Sequence, residues 1–134
     1  MNEKWKMIKG YKGLYEVSNY GRIRSLERMA QRRGQSPKPV SNRILKPILS
    51  SRGYLKCSLS KRGRVRVIYV HRIVLETFNG ISSTKTVTNH KNFNQKDNRI
   101  TNLEWVTQKE NVHHAITNGH TGNKTFKGEL ICQQ

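Results

Sequence analysis

The sequence predicts an α+β fold, in which small antiparallel β-hairpins precede a unit of two strands and one helix. Two observations predict the hairpins: apolar and polar residues alternate in several segments before residue 70, and Gly-containing turns separate those segments. A third predicts the helices, because apolar residues have helical spacing at 71–79 and a helix-capping pattern occurs at 107–110. A chain of 134 residues is long enough for one domain, or for one small domain with an appendage.

The first part of the chain divides into a β unit and a segment without periodicity. Within residues 3–28, the alternating segments 15–18 and 22–26 flank the turn Asn19-Tyr20-Gly21, which predicts a hairpin. Residues 29–42 contain one Gly, two Pro and three Arg or Lys, and they have no apolar period. We therefore expect a mobile basic linker at this position.

Residues 43–80 predict a second hairpin followed by a helix. Alternation resumes on either side of the turn Lys61-Arg62-Gly63. The second strand of this hairpin is expected to have one apolar and one basic face, with Val65, Val67 and Tyr69 alternating with Arg64, Arg66 and Ile68. Helical spacing follows at 71–79 and ends at Asn79-Gly80.

Residues 87–118 predict a strand, a long loop, a second strand and a helix. The strands are short, and the polar, turn-rich loop 91–101 separates them. Thr107 and Glu110 form a capping box, in which each side chain accepts the backbone N–H of the other, so the helix should begin at residue 108. Residues 119–134 have little apolar content and are expected to form a polar, frayed tail.

The charge of the chain points to its partner. It has 26 Lys or Arg residues against eight Asp or Glu residues, for a formal net charge of +18. A polyanion is the simplest explanation, because each phosphate that is neutralised releases condensed counterions. A membrane surface is the rival partner, but it requires an amphipathic basic helix with a broad apolar face. The basic residues here lie in short alternating or turn-like segments, so nucleic acid is favoured.

The sequence contains no recognisable signal for export or membrane insertion. No run reaches the roughly 18 apolar residues of a membrane span, and the N-terminal residues do not resemble a signal peptide. Cys57 and Cys132 form no CxxC pair, so neither a disulfide framework nor a Cys-ligated zinc site is expected. These observations predict a cytoplasmic protein. There is also no heptad seam or obvious apolar patch through which two copies could associate, so we expect a monomer.

Carboxylates are too few and too scattered for a two-metal phosphodiesterase. The chain has a single aspartate, Asp97, and its glutamates are spread along its length. Two-metal enzymes usually need several convergent carboxylates, and no Glu here is followed two residues later by Lys, as in restriction-type nucleases. Enzymatic chemistry would therefore depend on histidine and amide side chains.

The segment 87–118 resembles the HNH nuclease family, in the branch of phage and intron-associated homing endonucleases. The matching residues are Asn89-His90, Asn102-Leu103-Glu104-Trp105-Val106-Thr107 and Glu110-Asn111. The resemblance extends over a module and a helix ahead of that segment, with matches at Trp5–Tyr11, Tyr15–Asn19, Gly21–Ser25, Val70-His71-Arg72 and Phe78. It implies a ββα-metal core at 87–118 and a NUMOD4-like β module at 3–28. The region 43–80 is expected to contact DNA, because a hairpin with a basic face fits the major groove.

This resemblance implies a metal-dependent DNA endonuclease that hydrolyses phosphodiester bonds. His90 would act as a general base towards the attacking water, and Asn102 would pin the loop and hold His90 in its rotamer. Asn89 and Asn111 would offer amide oxygens to one divalent ion, and oxygen-only ligation favours Mg²⁺ or Mn²⁺ over zinc. A single site in a monomer implies nicking of double-stranded DNA.

Ten side chains are expected to contact the DNA: Arg32, Arg33, Arg52, Lys56, Lys61, Arg62, Arg64, Arg66, Arg72 and His114. Two alternatives remain open. Because Asn89 and Asn111 carry no charge, the chain could instead be a non-catalytic DNA-binding protein with a decayed HNH site. A basic RNA-binding or ribosome-associated protein would account for the charge, although not for the ordered His and Asn blocks.

Overall fold

The structure is a computed structural model that describes residues 2–82 and 84–117. The predicted tail at 119–134 lies outside the described residues. The described part has the predicted α+β architecture, with short antiparallel strands, two α-helices and a 3₁₀ turn at Ile100–Asn102.

The strands are β1 (Trp5–Met7), β2 (Tyr15–Ser18), β3 (Ile23–Ser25), β4 (Arg28–Arg32), β5 (Gln35–Val40), β6 (Arg43–Ile44), β7 (Ile48–Leu49), β8 (Leu55–Lys61), β9 (Arg64–Tyr69), β10 (Val87–His90) and β11 (Leu103–Val106). The helices are α1 (Val70–Asn79) and α2 (Gln108–Thr117).

The first sheet has the strand order β1-β2-β3-β6 and contains the predicted N-terminal hairpin. β2 and β3 flank the turn at residues 19–21, and Val17 lies opposite Ile23 across the pair. Both side chains are buried in the hydrophobic core. Gly21 has a φ of +87°, a conformation that glycine adopts without the steric cost of a side chain.

The segment expected to be a mobile linker is instead a β-hairpin. β4 and β5 pair antiparallel, with Met29 opposite Pro39 and the turn at Arg33-Gly34. Pro37 and Pro39 lie on β5, which is an edge strand of this two-stranded sheet and therefore a position where proline is tolerated. The prediction of a mobile linker at 29–42 is therefore wrong. The hairpin is largely exposed, so its sequence has no apolar period from which the two strands could be predicted.

The hairpin of β8 and β9 turns at Arg62-Gly63, where the φ angles are 52° and 76°. Two consecutive positive φ angles are typical of a type I′ turn, whose twist matches that of antiparallel strands. The predicted apolar face of β9 is wrong: Val65 and Val67 are 68% and 54% exposed, whereas Ile68 on the other face is buried. Val65 and Val67 lie opposite Ser60 and Ser58 on the outer face of the hairpin, whereas its other face places Cys57, Leu59 and Ile68 in the core.

Helix α1 lies at the centre of the core. Val74 and Leu75 are fully buried, and the helix packs against strands of the first sheet, of the β8–β9 hairpin and of the β10–β11 pair. It ends at Gly80, whose φ of +76° confirms the predicted stop. Among the described residues, no helix is long and apolar enough to cross a membrane.

The predicted strand, loop, strand and helix at 87–118 is confirmed over its described residues. β10 and β11 pair antiparallel, and α2 packs against both strands. The capping box is also confirmed: Glu110 N–H donates to Thr107 Oγ1 at 3.0 Å, and Thr107 N–H donates to Glu110 Oε1 at 3.1 Å. These bonds fix where α2 begins, and hence which of its side chains face the strands.

Candidate active site

His90 is the last residue of β10, and its side chain is only 3% exposed. Its Nε2 atom lies 2.8 Å from Oδ1 of Asn98. Since a carboxamide oxygen can only accept, Nε2 carries the proton and donates it. Nδ1 is then the nitrogen with a lone pair, and it has no hydrogen-bond partner among the described residues. This arrangement leaves one defined ring nitrogen for accepting a proton.

The imidazole of His90 packs in an aromatic pocket. The rings of His71 and Tyr54 lie 5.2 Å and 5.9 Å from it, measured between ring centroids. Burial lowers the pKa of His90 below its ordinary value, whereas the bond to Asn98 and the charge of Asp97 act in the opposite direction. Burial is the largest cause, so His90 is neutral at pH 7, which is the state a general base requires.

His71, in the first turn of α1, is completely buried behind His90. Neither of its ring nitrogens has a hydrogen-bond partner within the described ranges. Burial lowers the pKa of His71 to about 3, with smaller contributions from the neighbouring His90 and Arg72. His71 is therefore a neutral packing partner of His90 and is not exposed to a ligand.

Asn102 joins the two ends of the loop between β10 and β11. Its Oδ1 accepts the Asn92 N–H at 3.0 Å, and its Nδ2 donates to the Asp97 carbonyl at 2.9 Å. Its own carbonyl accepts the Lys91 N–H at 2.8 Å. These bonds are what the predicted loop-pinning role requires.

Asn98 is the site residue that the sequence analysis missed. The rotamer of His90 was expected to depend on Asn102, but it is the side chain of Asn98 that contacts the imidazole. Asn98 is 3% exposed, although Arg99 beside it is exposed. The loop is polar and has no apolar period, so the sequence gives no signal that this asparagine is buried while its neighbours are exposed.

The N-terminal sheet supports the loop that carries Asn98. The N–H of Ile100 donates to the Asn19 carbonyl at 2.9 Å. A Cβ atom on Gly21 would lie 2.8 Å from the carbonyl oxygen of Asn98, closer than such atoms can approach. Only glycine therefore allows the 19–21 turn to lie directly against this loop.

Asn89 and Asn111, the predicted cation ligands, lie on the side of the β10–β11 pair that faces α2. Asn89 is 4% exposed, and its Nδ2 lies 3.5 Å from Glu104 Oε1 and 3.4 Å from His114 Nδ1. Among the described residues, Oδ1 of Asn89 makes no hydrogen bond, and neither does the carboxamide of Asn111 in the first turn of α2. Both amide oxygens are thus available to a ligand.

This donor set fits a hard divalent cation. Mg²⁺ and Mn²⁺ take oxygen ligands, and Mg²⁺ commonly binds through one or two protein groups together with water and phosphate oxygens. Within residues 2–82 and 84–117, no three His, Cys, Asp or Glu side chains gather into a metal site. Asn89 and Asn111 would hold such an ion through their Oδ1 atoms.

Five of the ten predicted DNA contacts line one open groove of about 590 Å³: Arg33, Lys61, Arg62, Arg64 and Arg66. Tyr11 and Val65 complete the lining, which contains no acidic residue. The groove forms where the turns of two hairpins meet, since a Cβ atom on Gly63 would lie 2.5 Å from Cγ of Arg33. The β4–β5 hairpin therefore adds a cation to the surface formed by β8 and β9.

The other five predicted DNA contacts lie outside the lining of this groove: Arg32, Arg52, Lys56, Arg72 and His114. Three of them show how such side chains are engaged within the fold. Arg32 Nε donates to the Ser36 carbonyl at 2.9 Å. Arg72 Nε donates to Glu76 Oε1 at 3.0 Å. The imidazole of His114 stacks on Phe93 with ring centroids 4.6 Å apart.

Two family models match the chain in succession. A model described as the NUMOD4 motif matches residues 3–60, and a model described as HNH endonuclease matches residues 68–113. The second range contains His90, Asn98, Asn89 and Asn111. The two matches therefore occur in the same order as the N-terminal β module and the strand, loop, strand and helix unit that follows it.

Relatives cover most of this chain but extend beyond it. An uncharacterized HNH endonuclease, L245 of Acanthamoeba polyphaga mimivirus, is 39% identical over 119 residues, which are 89% of this chain and 32% of that protein. DNA endonuclease I-HmuI of Bacillus phage SP01 is 36% identical over 115 residues, which are 86% of this chain and 59% of that protein. A solved structure described as DNA binding and cleavage by the HNH homing endonuclease I-HmuI matches with a TM-score of 0.71 and 34% identity, covering 96% of this chain and 66% of the other.

Proposed function

Since the chain belongs to the HNH endonuclease family, we propose that it is a metal-dependent DNA endonuclease that hydrolyses phosphodiester bonds. The observation that carries this proposal is the buried His90, whose Nε2 is bonded to Asn98 and whose Nδ1 has no partner among the described residues. The likeness to I-HmuI, described as a DNA endonuclease, supports DNA as the substrate.

In the proposed reaction, Nδ1 of His90 removes a proton from water as the water oxygen attacks phosphorus. The bond from phosphorus to the 3′ oxygen breaks, and that oxygen leaves. The imidazolium formed on His90 is stabilised by Asn98 Oδ1, which accepts from Nε2, and by the negative charge of Asp97. Held by Asn89 and Asn111, a divalent ion would supply stabilisation of the charge that develops on the phosphate and leaving oxygens.

The cationic groove supports binding to the phosphate backbone. Its five basic side chains come from two hairpins, and they are not neutralised by any acidic residue in the lining. Phosphate contacts of this kind position a protein on duplex DNA without reading its sequence. Val65 beside the arginines offers an apolar group of the kind that contacts thymine methyl groups.

We further propose that a monomer nicks one strand at a time. The part of the chain that the structure describes contains one His90 site, and one such site engages one scissile phosphate. Supercoiled plasmid would then be converted first to open circle, and linear product would appear late. If linear plasmid formed from the start, at a rate proportional to the enzyme concentration, nicking would be contradicted. The nuclease proposal would remain intact.

A DNA-binding protein without catalysis is the second candidate. It is favoured by the absence of a carboxylate-rich metal site in the described part of the chain, since neutral amide ligands bind a divalent ion more weakly than carboxylates do. Such a protein would retain the cationic groove and lack cleavage at any metal concentration.

A plasmid assay separates the two candidates. Supercoiled DNA is incubated with the protein in Mg²⁺, in Mn²⁺ and in excess EDTA, and DNA binding is measured in parallel by gel shift. We expect open circle in either metal and none in EDTA. Binding without cleavage over a wide range of metal concentrations would instead support the non-catalytic candidate.

A further inference from the structure

We propose that Glu104 and His114 are positioning residues, which hold the carboxamide of Asn89 so that Oδ1, and not Nδ2, faces the cation position. This inference rests on the proposed function, because it concerns the metal-binding side of the same site. It also gives His114 a role within the protein in place of the expected DNA contact.

Glu104 and His114 approach Asn89 from two different elements. Asn89 and Glu104 are direct cross-strand partners on β10 and β11, so their side chains leave the sheet on the same face. His114 reaches the same group from α2. Glu104 Oε1 and His114 Nδ1 lie 3.5 Å and 3.4 Å from the same atom, Nδ2 of Asn89.

Orientation matters for this side chain because its two ends differ. A carboxamide oxygen can bind a cation, whereas its NH₂ group presents hydrogens and cannot. If the carboxamide were reversed, Oδ1 would face the carboxylate of Glu104, and two acceptors would repel each other. The two distances are long for hydrogen bonds, so this electrostatic preference matters more than the strength of either bond.

Both positioning residues also contact side chains of the loop between β10 and β11. Lys91 Nζ lies 4.0 Å from Glu104 Oε2. The ring of Phe93 stacks on the His114 imidazole at an angle of 15° between planes. Phe93 has a φ of 63°, which is uncommon for a bulky residue, and its N–H donates to the His90 carbonyl at 3.0 Å. The ring that stacks on His114 therefore belongs to a residue whose backbone is hydrogen-bonded to that of the proposed general base.

An aspartate in place of Asn89 provides the decisive comparison. Its two carboxylate oxygens are equivalent, so it needs no orienting partner. In the parent chain, Glu104→Leu should raise the Mn²⁺ dissociation constant on the order of tenfold, because outer contacts of metal ligands commonly contribute that much. In the Asn89→Asp background, Glu104→Leu should cause no loss of affinity. Mn²⁺ binding to the protein alone is measured by calorimetry or electron paramagnetic resonance, without DNA.

His114 is tested with a variant that keeps its stacking. His114→Phe retains an aromatic ring against Phe93 and removes the Nδ1 acceptor, so it should also weaken Mn²⁺ binding in the parent background only. Glu27→Leu, which removes an exposed glutamate from the N-terminal part of the chain, is the charge control and should leave Mn²⁺ binding unchanged. Thermal unfolding of each variant checks that the fold is intact.

A metal-free measurement keeps this test separate from the proposed function. In ¹⁵N–¹H spectra, the two Nδ2 protons of Asn89 should give distinct, protected signals, which lose their protection in Glu104→Leu. Signals that do not change in either variant would overturn the proposal whether or not the protein cleaves DNA. Equal loss of Mn²⁺ affinity in the parent and Asn89→Asp backgrounds would also overturn it, because Glu104 would then act as a ligand.

Discussion

Nε2 of His90 donates to Oδ1 of Asn98 at 2.8 Å, and this bond decides which nitrogen of the imidazole can accept a proton. The two residues are eight positions apart in sequence: His90 ends β10, and Asn98 lies in the following loop, which Asn102 closes. The loop in turn lies against the 19–21 turn of the N-terminal sheet. The proposed general base is therefore held by both parts of the chain.

Removing the Asn98 side chain should slow cleavage without weakening DNA binding. Asn98→Ala leaves Nε2 of His90 without its acceptor, so the correct tautomer and ring orientation are no longer favoured. We expect the single-turnover cleavage rate to fall by at least about tenfold. Thr101→Ala, at an exposed position of the same loop, is the control and should cleave at the parent rate. Equal rates for Asn98→Ala and the control would mean that Asn98 does not orient the base.

Gly21→Ala should destabilise the protein more than Gly13→Ala. Both glycines have positive φ angles, +87° and +80°, so each substitution introduces backbone strain of about 1–2 kcal/mol. Only at Gly21 would the new Cβ also collide with Asn98, since no atom lies within 4 Å of the Cβ position at Gly13. Chemical denaturation measures the two free energies of unfolding, and the excess loss at Gly21 should be accompanied by slower cleavage. Identical losses would show that the collision is relieved at no cost.

Acid should destabilise the fold through His71. Unfolded His71 binds a proton near pH 6.5, whereas folded His71 stays neutral until about pH 3. The unfolded state therefore binds more protons between these values, and the free energy of unfolding should decrease as pH falls through this range, by up to about 1.4 kcal/mol per pH unit. His71→Phe should reduce this slope, and His113→Phe, at an exposed position, should not. A slope that is the same in all three proteins would contradict the burial of a neutral His71.

Arginines of the groove should contribute to DNA affinity in a salt-dependent way. Arg64→Ala removes one phosphate contact from the lining, so binding should weaken and the slope of log K against log[salt] should become shallower by about one. Lys46→Ala removes an exposed cation that is not part of the lining and should have a smaller effect. Fluorescence anisotropy with duplex DNA over a range of salt concentrations measures both quantities. An unchanged slope for Arg64→Ala would place the DNA elsewhere.

The elements that the sequence predicted well are those with a local signal. Thr107 and Glu110 are three residues apart and form the predicted capping box, and Gly80 ends α1 where expected. The alternation around residues 19–21 likewise predicted the N-terminal hairpin. Each of these features depends on residues that are close in sequence, which is why pattern alone was sufficient.

The features that the sequence did not predict depend on contacts between distant segments. The β4–β5 hairpin is exposed and has no apolar period, so it was mistaken for a linker. Val65 and Val67 alternate like core residues, but the face that packs in the core is the one that carries Leu59 and Ile68, so the valines are exposed. Asn98 acquires its role only when the loop folds under the 19–21 turn. Local sequence patterns contain no information about such long-range packing.

The central proposal is that His90 is the general base, and single-turnover cleavage of supercoiled plasmid in Mg²⁺ tests it most directly. His90→Ala is compared with His113→Ala, which changes an exposed histidine of α2, and DNA affinity is measured for both. We predict that His90→Ala lowers the cleavage rate by roughly 10² to 10⁴ while DNA affinity stays near the parent value, and that His113→Ala retains the parent rate. Cleavage by His90→Ala at the parent rate would contradict the proposed mechanism.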